Sequence, residues 1–373
     1  MATILTWGLA SVLGGSFAVC AILVLTQRWH GRLSLDHDLS GAQKIHQAPV
    51  PRIGGLGLAA GLSIGALVGF VFGGKTYPMV LQLLLCAIPA FAAGFIEDLT
   101  KKVSVRTRLY ASFASAGLAA WVMGAHLVRL DTPLLDLLVS LAPISVLFTC
   151  FAVGGMTNAI NIIDGLNGLA AGCVVLMLAG LAAIAWQVGD FMVMKLCLWG
   201  IASLLGFLIL NFPFGRIFLG DGGAYLAGFW LAECAVLLLK RNPGVSTWAV
   251  LLCCIYPVWE TLFSMYRRNI RQRISSGRPD MVHFHHMVYR LVSRHRDTHA
   301  PAWVKHGLVS ALIWILVLGC QIIASLAYDH TSMVFCGSIA FIFVYLWIYN
   351  SLQRTVDRHS ALFNTLPTRG ASQ

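Results

Sequence analysis

Long apolar stretches dominate the chain, and each is close to the length that a helix needs to cross the hydrocarbon core of a membrane. Because a backbone in lipid must satisfy its own hydrogen bonds, stretches of this length are predicted to be helices. The pattern therefore predicts an all-α fold, a polytopic membrane helix bundle with about 11 transmembrane helices. The predicted spans lie at about 3–26, 53–73, 78–96, 109–128, 141–160, 168–188, 191–211, 222–239, 247–266, 307–328 and 332–351.

The composition agrees with a membrane protein. Of the 373 residues, 58% are hydrophobic and 11% are charged, whereas soluble domains carry about 45–50% apolar and about 25% charged residues. These values exclude soluble enzymes, disordered proteins and disulfide scaffolds. The 10 cysteines lie in apolar runs without C-x-x-C spacing, which indicates small apolar fillers of the helices rather than disulfides or metal ligands.

The basic residues predict the orientation in the membrane. All but five of the 26 Lys and Arg residues fall in one set of connections, and the positive-inside rule makes that set cytoplasmic. The N-terminus is then outside and the C-terminus is cytoplasmic. We divide the chain into a transmembrane domain over 1–351 and a cytoplasmic tail over 352–373. The cytoplasmic loops of that domain lie at about 27–52, 97–108, 158–168, 212–222 and 267–306.

Five polar segments stand out, and all of them fall in or beside the predicted cytoplasmic loops. This asymmetry argues against a transporter, whose ionisable residues should lie near the middle of the bilayer. Glu233 and Glu260 are acids inside predicted spans, and we interpret both as carboxylates paired within the bundle. The five segments are Lys44-Ile-His46 with Pro51-Arg52-Ile-Gly54-Gly55, Glu97-Asp98 through Arg106-Thr-Arg108, Asn158 through Gly168, Phe218-Leu-Gly220-Asp221-Gly222-Gly223, and Asp280-Met-Val-His283-Phe-His285-His286.

The residue types in these segments suit a divalent cation and phosphates. Asn158, Asn161 and Asp164 recur at i+3 and are predicted to share one helix face. Asp221 precedes an apolar run and is predicted to be the N-cap of a helix, where a carboxylate is favourable. Carboxylate and amide oxygens suit Mg²⁺, and the Arg, Lys and His side chains suit phosphates. At a cytoplasmic membrane face, the expected reactants are a nucleotide-linked group and a lipid phosphate.

Taken in order, the five segments resemble the motifs of the polyprenyl-phosphate N-acetylhexosamine-1-phosphate transferases, which form glycosyltransferase family 4. The motifs read KIH…PRIGG, EDLTKKVSVRTR, NAINIIDGLNGL, FLGDGGA and PDMVHFHH, and the resemblance covers about 44–290. The D-x-x-H-x-H-H form of the last motif is similar to the undecaprenyl-phosphate GlcNAc-1-phosphate transferase branch. The phospho-N-acetylmuramoyl-pentapeptide transferases of peptidoglycan synthesis remain the alternative within the family.

The resemblance implies a reaction, a cofactor and a location. N-acetylhexosamine-1-phosphate would pass from a UDP-N-acetylhexosamine to undecaprenyl phosphate, with release of UMP. The lipid-diphospho-sugar product would initiate O-antigen, lipopolysaccharide or another surface polysaccharide at the cytoplasmic face of the bacterial inner membrane. Mg²⁺ is the implied cofactor, with Mn²⁺ as an alternative. Membrane lipids are further partners, no nucleic acid is expected, and a homodimer is left open.

The resemblance also implies roles for residues at matching motif positions. Asp221 would be the principal Mg²⁺ ligand, with Asn161 or Asp164 beside it. Phe218 would stack on the uracil ring, and Asn167 would hydrogen-bond its edge. The implied catalytic set consists of Asp98, Glu97, Asp164 and His285. A further set, for nucleotide and phosphate binding, consists of Asn158, Lys44, His46, Arg52, Arg106, Arg108, His283 and His286.

The chain departs from the family pattern at two positions. Glu97 stands where the family usually has the first Asp of an Asp-Asp pair, and with Asp98 it would orient or deprotonate the lipid phosphate. Its extra methylene moves the carboxylate oxygens by roughly 1.5 Å, which matters for positioning. Asn167 replaces the second Asp of a D-G-x-D-G pattern, and its amide can still donate to and accept from a uracil edge.

Two other function classes stay open on the residues alone. A transporter or lipid flippase would have a water-accessible site near the bilayer midplane and would move solute without cleaving a nucleotide. A zinc or haem protein would use the three histidines of the last motif. No cysteine lies near them, which disfavours a structural zinc site.

Overall fold

The computed structural model describes five ranges of the chain: residues 2–35, 49–73, 76–271, 282–295 and 300–364. Within them the chain is helical, and the one strand-like feature is an antiparallel bridge between Leu35 and Pro51. The predicted all-α fold class is therefore confirmed.

Fifteen α-helices and one π-helical turn make up this described part. In chain order they are α1 (Ala2–Leu25), α2 (Gln27–Ser34), α3 (Gly55–Val71), α4 (Tyr77–Thr100), α5 (Val105–Met123), α6 (Pro133–Val139), α7 (Ala142–Ile163), α8 (Leu169–Gln187), α9 (Phe191–Asn211), α10 (Gly220–Arg241), α11 (Thr247–Cys253), α12 (Ile255–Tyr266), the π turn (Arg267–Arg271), α13 (Phe284–His295), α14 (Ala302–Leu326) and α15 (Thr331–Asn364).

Every predicted span contains a helix of the structure, which confirms the polytopic bundle. Among the described residues, eight helices are long and apolar enough to cross a membrane: α1, α4, α7, α8, α9, α10, α14 and α15. α11 and α12 together form a ninth candidate, with a 78° bend at the break between them. α3 and α5 cover the two remaining predicted spans with 17 and 19 residues. α15 continues past 351, so the predicted tail over 352–373 starts inside a helix.

α10 lies at the centre of the bundle, where it packs against α3, α4, α5, α7, α8 and α9. In its apolar window 94% of the residues are buried, compared with 22% in the windows of α1 and α15. Low burial is expected of helices that face lipid rather than protein. Small residues permit the close packing of α10: a Cβ on Gly94 of α4 would lie 2.7 Å from the carbonyl carbon of Asp221.

The polar segments meet at one end of the bundle, which we call the site end. It is formed by the end of α4 and the start of α5, the end of α7, and the start of α10, and side chains from these helix termini are in contact. The opposite end contains the α5–α6 connection, the start of α9 and the end of α10. The prediction that the site end faces the cytoplasm stays a prediction.

Candidate active site

The first turn of α10 is the centre of the site end. The helix begins at Gly220 with Leu219 as its N-cap, so Asp221 lies inside the first turn and the predicted N-cap position is wrong. The cap comes instead from Asp98 at the end of α4. Its Oδ1 accepts from the backbone N–H of Asp221 at 2.8 Å, and its Oδ2 accepts from that of Gly222 at 2.8 Å. A carboxylate placed there satisfies two unpaired helix donors and complements the helix dipole.

Gly220 makes this arrangement possible. Its φ is +73°, in the left-handed region that glycine adopts without steric cost. A Cβ at this position would lie 2.0 Å from the carbonyl oxygen of Arg52 and 2.6 Å from Oδ2 of Asp98. The left-handed residue turns the chain so that the next two N–H groups point at Asp98, which is why the side chain of Asp221 does not cap its own helix.

Two arginines and one amide surround the carboxylate of Asp221. Arg108 forms an ion pair with its Oδ2. Arg52 Nη2 lies 3.5 Å from Oδ1 of Asp221 and 3.5 Å from Oδ1 of Asp98. Asn161 donates from Nδ2 to Oδ1 of Asp221 at 3.0 Å. The structure thus brings five of the predicted site residues into one cluster, in which two acids are balanced by two guanidinium groups.

Backbone pairing between two loops positions Arg52 and Phe218. The N–H of Phe218 donates to the carbonyl of Pro51 at 2.8 Å, and the N–H of Gly54 donates to the carbonyl of Phe218 at 2.9 Å. The N–H of Arg52 donates to the carbonyl of Ser34 at the end of α2, also at 2.9 Å. The loop before α3 and the loop before α10 are therefore held side by side, and the Phe218 side chain is partly buried.

Two of the three residues predicted to share a helix face at the end of α7 lie in that helix and contact α10, whereas the third, Asp164, follows the last helical residue. Asn158 Oδ1 accepts from the hydroxyl of Tyr225 on α10 at 3.4 Å, and Asn161 contacts the same helix nearer its start. Asp164 is the C-cap residue of α7. Burial raises the pKa of Asp164 to about 7, and the positive charge of Arg52 opposes that rise. Arg52 therefore acts electrostatically on this loop as well as on α10.

Asn167 is buried in the loop between α7 and α8 and is held from several sides. Its Nδ2 donates to the carbonyl of Pro213 at 2.9 Å. Its backbone N–H donates to Nδ1 of His306 at 3.4 Å, and its carbonyl accepts from the hydroxyl of Ser310 at 2.8 Å. Its Oδ1 accepts no hydrogen bond within the described part of the chain. Sequence reasoning missed His306 and Ser310, because nothing in their local pattern relates α14 to this distant loop.

The three histidines of the last motif are buried beside that loop. The ring centroids of His283 and His285 are 5.6 Å apart, and those of His285 and His286 are 4.3 Å apart. A Cβ on Gly165 would lie 2.6 Å from Nε2 of His285, so the absence of a side chain at 165 allows the imidazole to approach. Burial, followed by the charges of His286 and His283, holds the pKa of His285 well below its ordinary value.

Some predicted site residues are not part of the cluster around Asp221. Glu97 is turned towards the α4–α5 connection, where its Oε2 accepts from the N–H of Val103 at 2.6 Å. Arg106 is exposed on the first turn of α5. Lys44 and His46 lie outside the described residues.

The two acids inside predicted spans differ from each other. Glu260 is paired, as predicted, and accepts a hydrogen bond from His283 at 2.8 Å. Glu233 in α10 is fully buried, with 0% exposure, and neither of its carboxylate oxygens has a hydrogen-bond partner among the residues described. The prediction of a paired carboxylate is therefore wrong for Glu233.

The residues at the site end provide part of a ligand set for a hard divalent cation. In the ranges that the structure covers, no three His, Cys, Asp or Glu side chains meet in a metal-binding group. Mg²⁺ commonly takes only one or two carboxylates from the protein and completes its octahedron with waters and substrate phosphates. Asp221, with Asn161 at 3.0 Å, provides such a partial set of ligands. The chemistry of these groups is compatible with Mg²⁺ when a phosphate substrate is present.

The fold and the site define a class of protein: a polytopic membrane helix bundle with an acid–arginine–amide cluster and three imidazoles at one end. The chain belongs to glycosyl transferase family 4, whose family model matches residues 80–239. This range runs from α4 to the end of α10 and includes Asp98, Asn161 and Asp221. The family inferred from the five motifs is therefore confirmed.

Curated relatives match over most of their length. The chain is 30% identical to the undecaprenyl-phosphate alpha-N-acetylglucosaminyl 1-phosphate transferase of Escherichia coli (strain K12), over 74% of each chain. It is 30% identical to the protein of the same name from Salmonella typhi, over 68% of this chain and 69% of that one. A probable undecaprenyl-phosphate N-acetylglucosaminyl 1-phosphate transferase of Bacillus subtilis (strain 168) is 29% identical, over 77% and 83%. These names confirm the predicted branch of the family.

Proposed function

We propose that this protein transfers N-acetylhexosamine-1-phosphate from a UDP-N-acetylhexosamine to undecaprenyl phosphate and releases UMP. The observation that carries the proposal is the cluster of Asp98, Asp221, Arg52, Arg108 and Asn161 at one end of a membrane bundle. Two guanidinium groups beside two acids suit substrates that bring phosphate groups to a membrane surface. Relatives named for transfer to undecaprenyl phosphate support the choice of lipid acceptor.

In the proposed reaction, a non-bridging oxygen of undecaprenyl phosphate attacks the sugar-proximal phosphorus of the donor. The new oxygen–phosphorus bond forms as the bond to the bridging oxygen breaks, and that oxygen leaves as part of UMP with the electron pair. Positioning and charge neutralisation supply most of the catalysis in phosphoryl transfer. Arg52 and Arg108 would exchange their carboxylate partners for substrate phosphates.

We propose that the two adjacent acids at the end of α4 hold neighbouring segments of the site in place and do not deprotonate the lipid phosphate. Asp98 would keep the start of α10 in place through its two backbone hydrogen bonds. Glu97 would hold the α4–α5 connection through the N–H of Val103, and thereby the start of α5 that carries Arg108. A lipid phosphate that is already ionised needs no general base to become a nucleophile.

The nucleotide half of the donor would be held by residues of three segments. Phe218 would stack on the uracil ring and Asn158 would lie beside it. Asn167 would accept an N–H of the ring edge on Oδ1, which accepts no hydrogen bond from the residues that the structure describes. The imidazoles would donate to the diphosphate. The residues proposed to contact phosphates are His283, His285, His286 and, at the rim, Lys44, His46 and Arg106.

Mg²⁺ is the proposed cofactor, with Mn²⁺ as the alternative. Asp221 would hold the ion together with Asn161 or Asp164. When bound, the ion would neutralise negative charge on the donor diphosphate. We further propose that the site faces the cytoplasm at a bacterial inner membrane, since the basic loops gather on that side. The lipid-diphospho-sugar would then initiate O-antigen or another surface polysaccharide.

The test is UMP release by the purified protein in lipid nanodiscs. Undecaprenyl phosphate is supplied with UDP-GlcNAc, UDP-GalNAc or UDP-MurNAc-pentapeptide in separate reactions, and the donor that supports turnover identifies the sugar. We expect EDTA to stop release and Asp221→Ala to lower turnover at least about 100-fold. Asp329→Asn, at an exposed acid of the opposite end, is the matched control and should keep turnover. Full turnover by Asp221→Ala, or no UMP from any donor, would show the proposal to be wrong.

A further inference from the structure

Glu260 is an acid in α12 that receives three hydrogen bonds although only 1% of its surface is exposed. Its Oε1 accepts from Nδ1 of His283 at 2.8 Å and from the backbone N–H of Phe284 at 3.2 Å. Its Oε2 accepts from the hydroxyl of Tyr345 at 2.5 Å. Every oxygen of this buried carboxylate is therefore engaged, in contrast to Glu233, whose oxygens have no partner within the described residues.

These three bonds join three helices. Phe284 is the first residue of α13, so the bond from its N–H satisfies one of the unpaired donors at the start of that helix. Tyr345 belongs to α15 and anchors the carboxylate from the opposite side. Glu260 therefore fixes where α13 begins and how the ring of His283 is oriented.

The orientation of His283 is passed on to the rest of the histidine run. The rings of His283 and His285 are stacked with an interplanar angle of 4°. His285 in turn sits against Gly165, next to Asp164, in the loop that follows α7. A change at Glu260 would therefore shift imidazoles that lie against the acid-bearing loop.

We propose that Glu260 is a positioning residue for the histidine run. Because Nδ1 of His283 is bonded to Glu260, any contact of that ring with the donor diphosphate must be made through Nε2. Glu260 fixes this assignment of the two nitrogens and sets the start of α13. The part of this inference that concerns the diphosphate rests on the proposed function, whereas the positioning of the ring does not.

A double-mutant cycle on Glu260 and His283 tests the proposal. Glu260→Gln keeps the shape of the side chain but replaces one acceptor oxygen by a donor. We expect it to raise the KM for the UDP-sugar at least fivefold and to leave the KM for undecaprenyl phosphate unchanged. His283→Ala should have a similar effect, and the double variant should fall well short of the product of the two single effects, because Glu260 acts on the donor mainly through His283. Effects that multiply in the double variant would overturn the proposal.

Two further variants control for a loss of folding. Glu233→Gln changes an equally buried acid whose oxygens have no hydrogen-bond partner in the described ranges, and it should leave both KM values unchanged. Tyr345→Phe removes only the bond to Oε2 and leaves both bonds to Oε1. It should raise the KM for the UDP-sugar less than Glu260→Gln does, and it provides the test if Glu260→Gln does not fold. An unchanged KM in a folded Tyr345→Phe protein, together with an unfolded Glu260→Gln protein, would contradict the positioning role.

A chemical readout separates this proposal from the proposed function. Diethyl pyrocarbonate modifies unprotonated imidazole nitrogens, and mass spectrometry of the peptide gives the modification rate of His283. The carboxylate bonded to Nδ1–H leaves Nε2 unprotonated and raises its basicity. Its loss in Glu260→Gln should therefore lower that rate at least threefold, while Glu233→Gln should not change it. If the wild-type protein released no UMP from any donor, the proposed function would fail, and this rate would still decide the role of Glu260. Equal rates in wild type and Glu260→Gln would refute that role.

Discussion

At the site end, the position of one helix depends on a single residue of another. Asp98 lies at the end of α4, and its two oxygens each accept one backbone N–H from the first turn of α10. A carboxylate accepts on both oxygens, whereas an amide presents a donor in place of one of them. Substitution by asparagine therefore removes one acceptor at almost constant size and places an amide N–H group against a backbone N–H group.

We expect Asp98→Asn to lower both turnover and stability. Loss of a cap bond to a charged acceptor costs about 1–2 kcal/mol, and displacement of the start of α10 should lower turnover about 100-fold. UMP release and thermal unfolding in detergent measure the two effects. Asp136→Asn is the control, because Asp136 accepts from the N–H groups of Leu130 and Thr132 at the opposite end. That variant should lose stability alone, and equal turnover of the two variants would contradict the role of Asp98.

The sequence could predict which residue types assemble at the site, but not which atoms each of them contacts. Glu97 and Asp98 are adjacent, and the motif implies a shared role at the lipid phosphate. In the structure Asp98 contacts α10 whereas Glu97 contacts Val103. Neighbouring side chains on a helix point about 100° apart. Two adjacent residues at a helix end therefore contact different partners. Only the packing of α4 against α10 decides which of the two acids reaches the site.

Among the helices, the start of α10 depends on a residue without a side chain. Gly220 has a φ of +73°, and a Cβ there would lie 2.0 Å from the carbonyl oxygen of Arg52. A non-glycine residue in this region costs about 1–2 kcal/mol by itself, before any clash is counted. The clash is with backbone, which cannot rotate away as a flexible side chain could.

We expect Gly220→Ala to abolish turnover, with a reduction of at least about 100-fold, and to lower the midpoint of thermal unfolding. The substitution pushes the loop before α3 away from α10 and separates Arg52 from Asp98. Gly155→Ala is the matched control in α7, where a Cβ would meet nothing within 4 Å. Alanine in a helix interior is favourable, so the control should keep both turnover and stability. Wild-type turnover in Gly220→Ala would show that the left-handed turn is not needed.

Hydropathy was sufficient to predict the long helices and insufficient for the short ones. The length and polarity rules of the bilayer fix where spans occur, and each predicted span contains a helix. The bend of 78° between α11 and α12 falls at Cys254 and does not show in the hydropathy. The local signal for it is Pro257, which has no N–H to donate to the carbonyl of Cys253 in a continuous helix. α13 lies in a polar connection, and its first residue, Phe284, donates its backbone N–H to Glu260 of α12. This contact spans more than twenty residues of the chain, so the local sequence does not show it.

For the molecule as a whole, the opposite end is held by ion pairs that the sequence analysis did not single out. Asp190 at the start of α9 accepts from Nε of Arg241 at the end of α10 at 2.6 Å. Arg129 pairs with Asp131, whose Oδ2 accepts from the N–H of Thr247 at the start of α11 at 2.6 Å. The Asp190–Arg241 and Asp131–Thr247 bonds join segments that are distant in sequence, so neither spacing nor hydropathy could predict them. They give the bundle a second polar anchor, remote from the site.

The anchor at Asp190 should make stability depend on pH. Burial would raise the pKa of Asp190, but hydrogen bonds from Arg241, Asn242 and the N–H of Val193 outweigh it and hold the pKa below the ordinary value of 3.8. The folded state therefore binds the proton less readily than the unfolded state does. The carboxylate contributes stability at pH values above about 4, and that contribution is lost as the pH falls through the folded-state pKa.

We therefore expect the thermal midpoint of the wild type to approach that of Asp190→Asn as the pH is lowered. At pH 7 the variant should unfold at a midpoint a few degrees lower, because an amide cannot accept both bonds from Arg241. Below about pH 4 the difference should shrink, since the wild-type carboxyl becomes protonated. Thermal unfolding in detergent from pH 7 to pH 3 measures both curves. Asp329→Asn, at an exposed acid of the same end, should follow the wild type at every pH. A difference in thermal midpoint between wild type and Asp190→Asn that stayed constant with pH would mean that protonation of Asp190 does not cause the loss of stability.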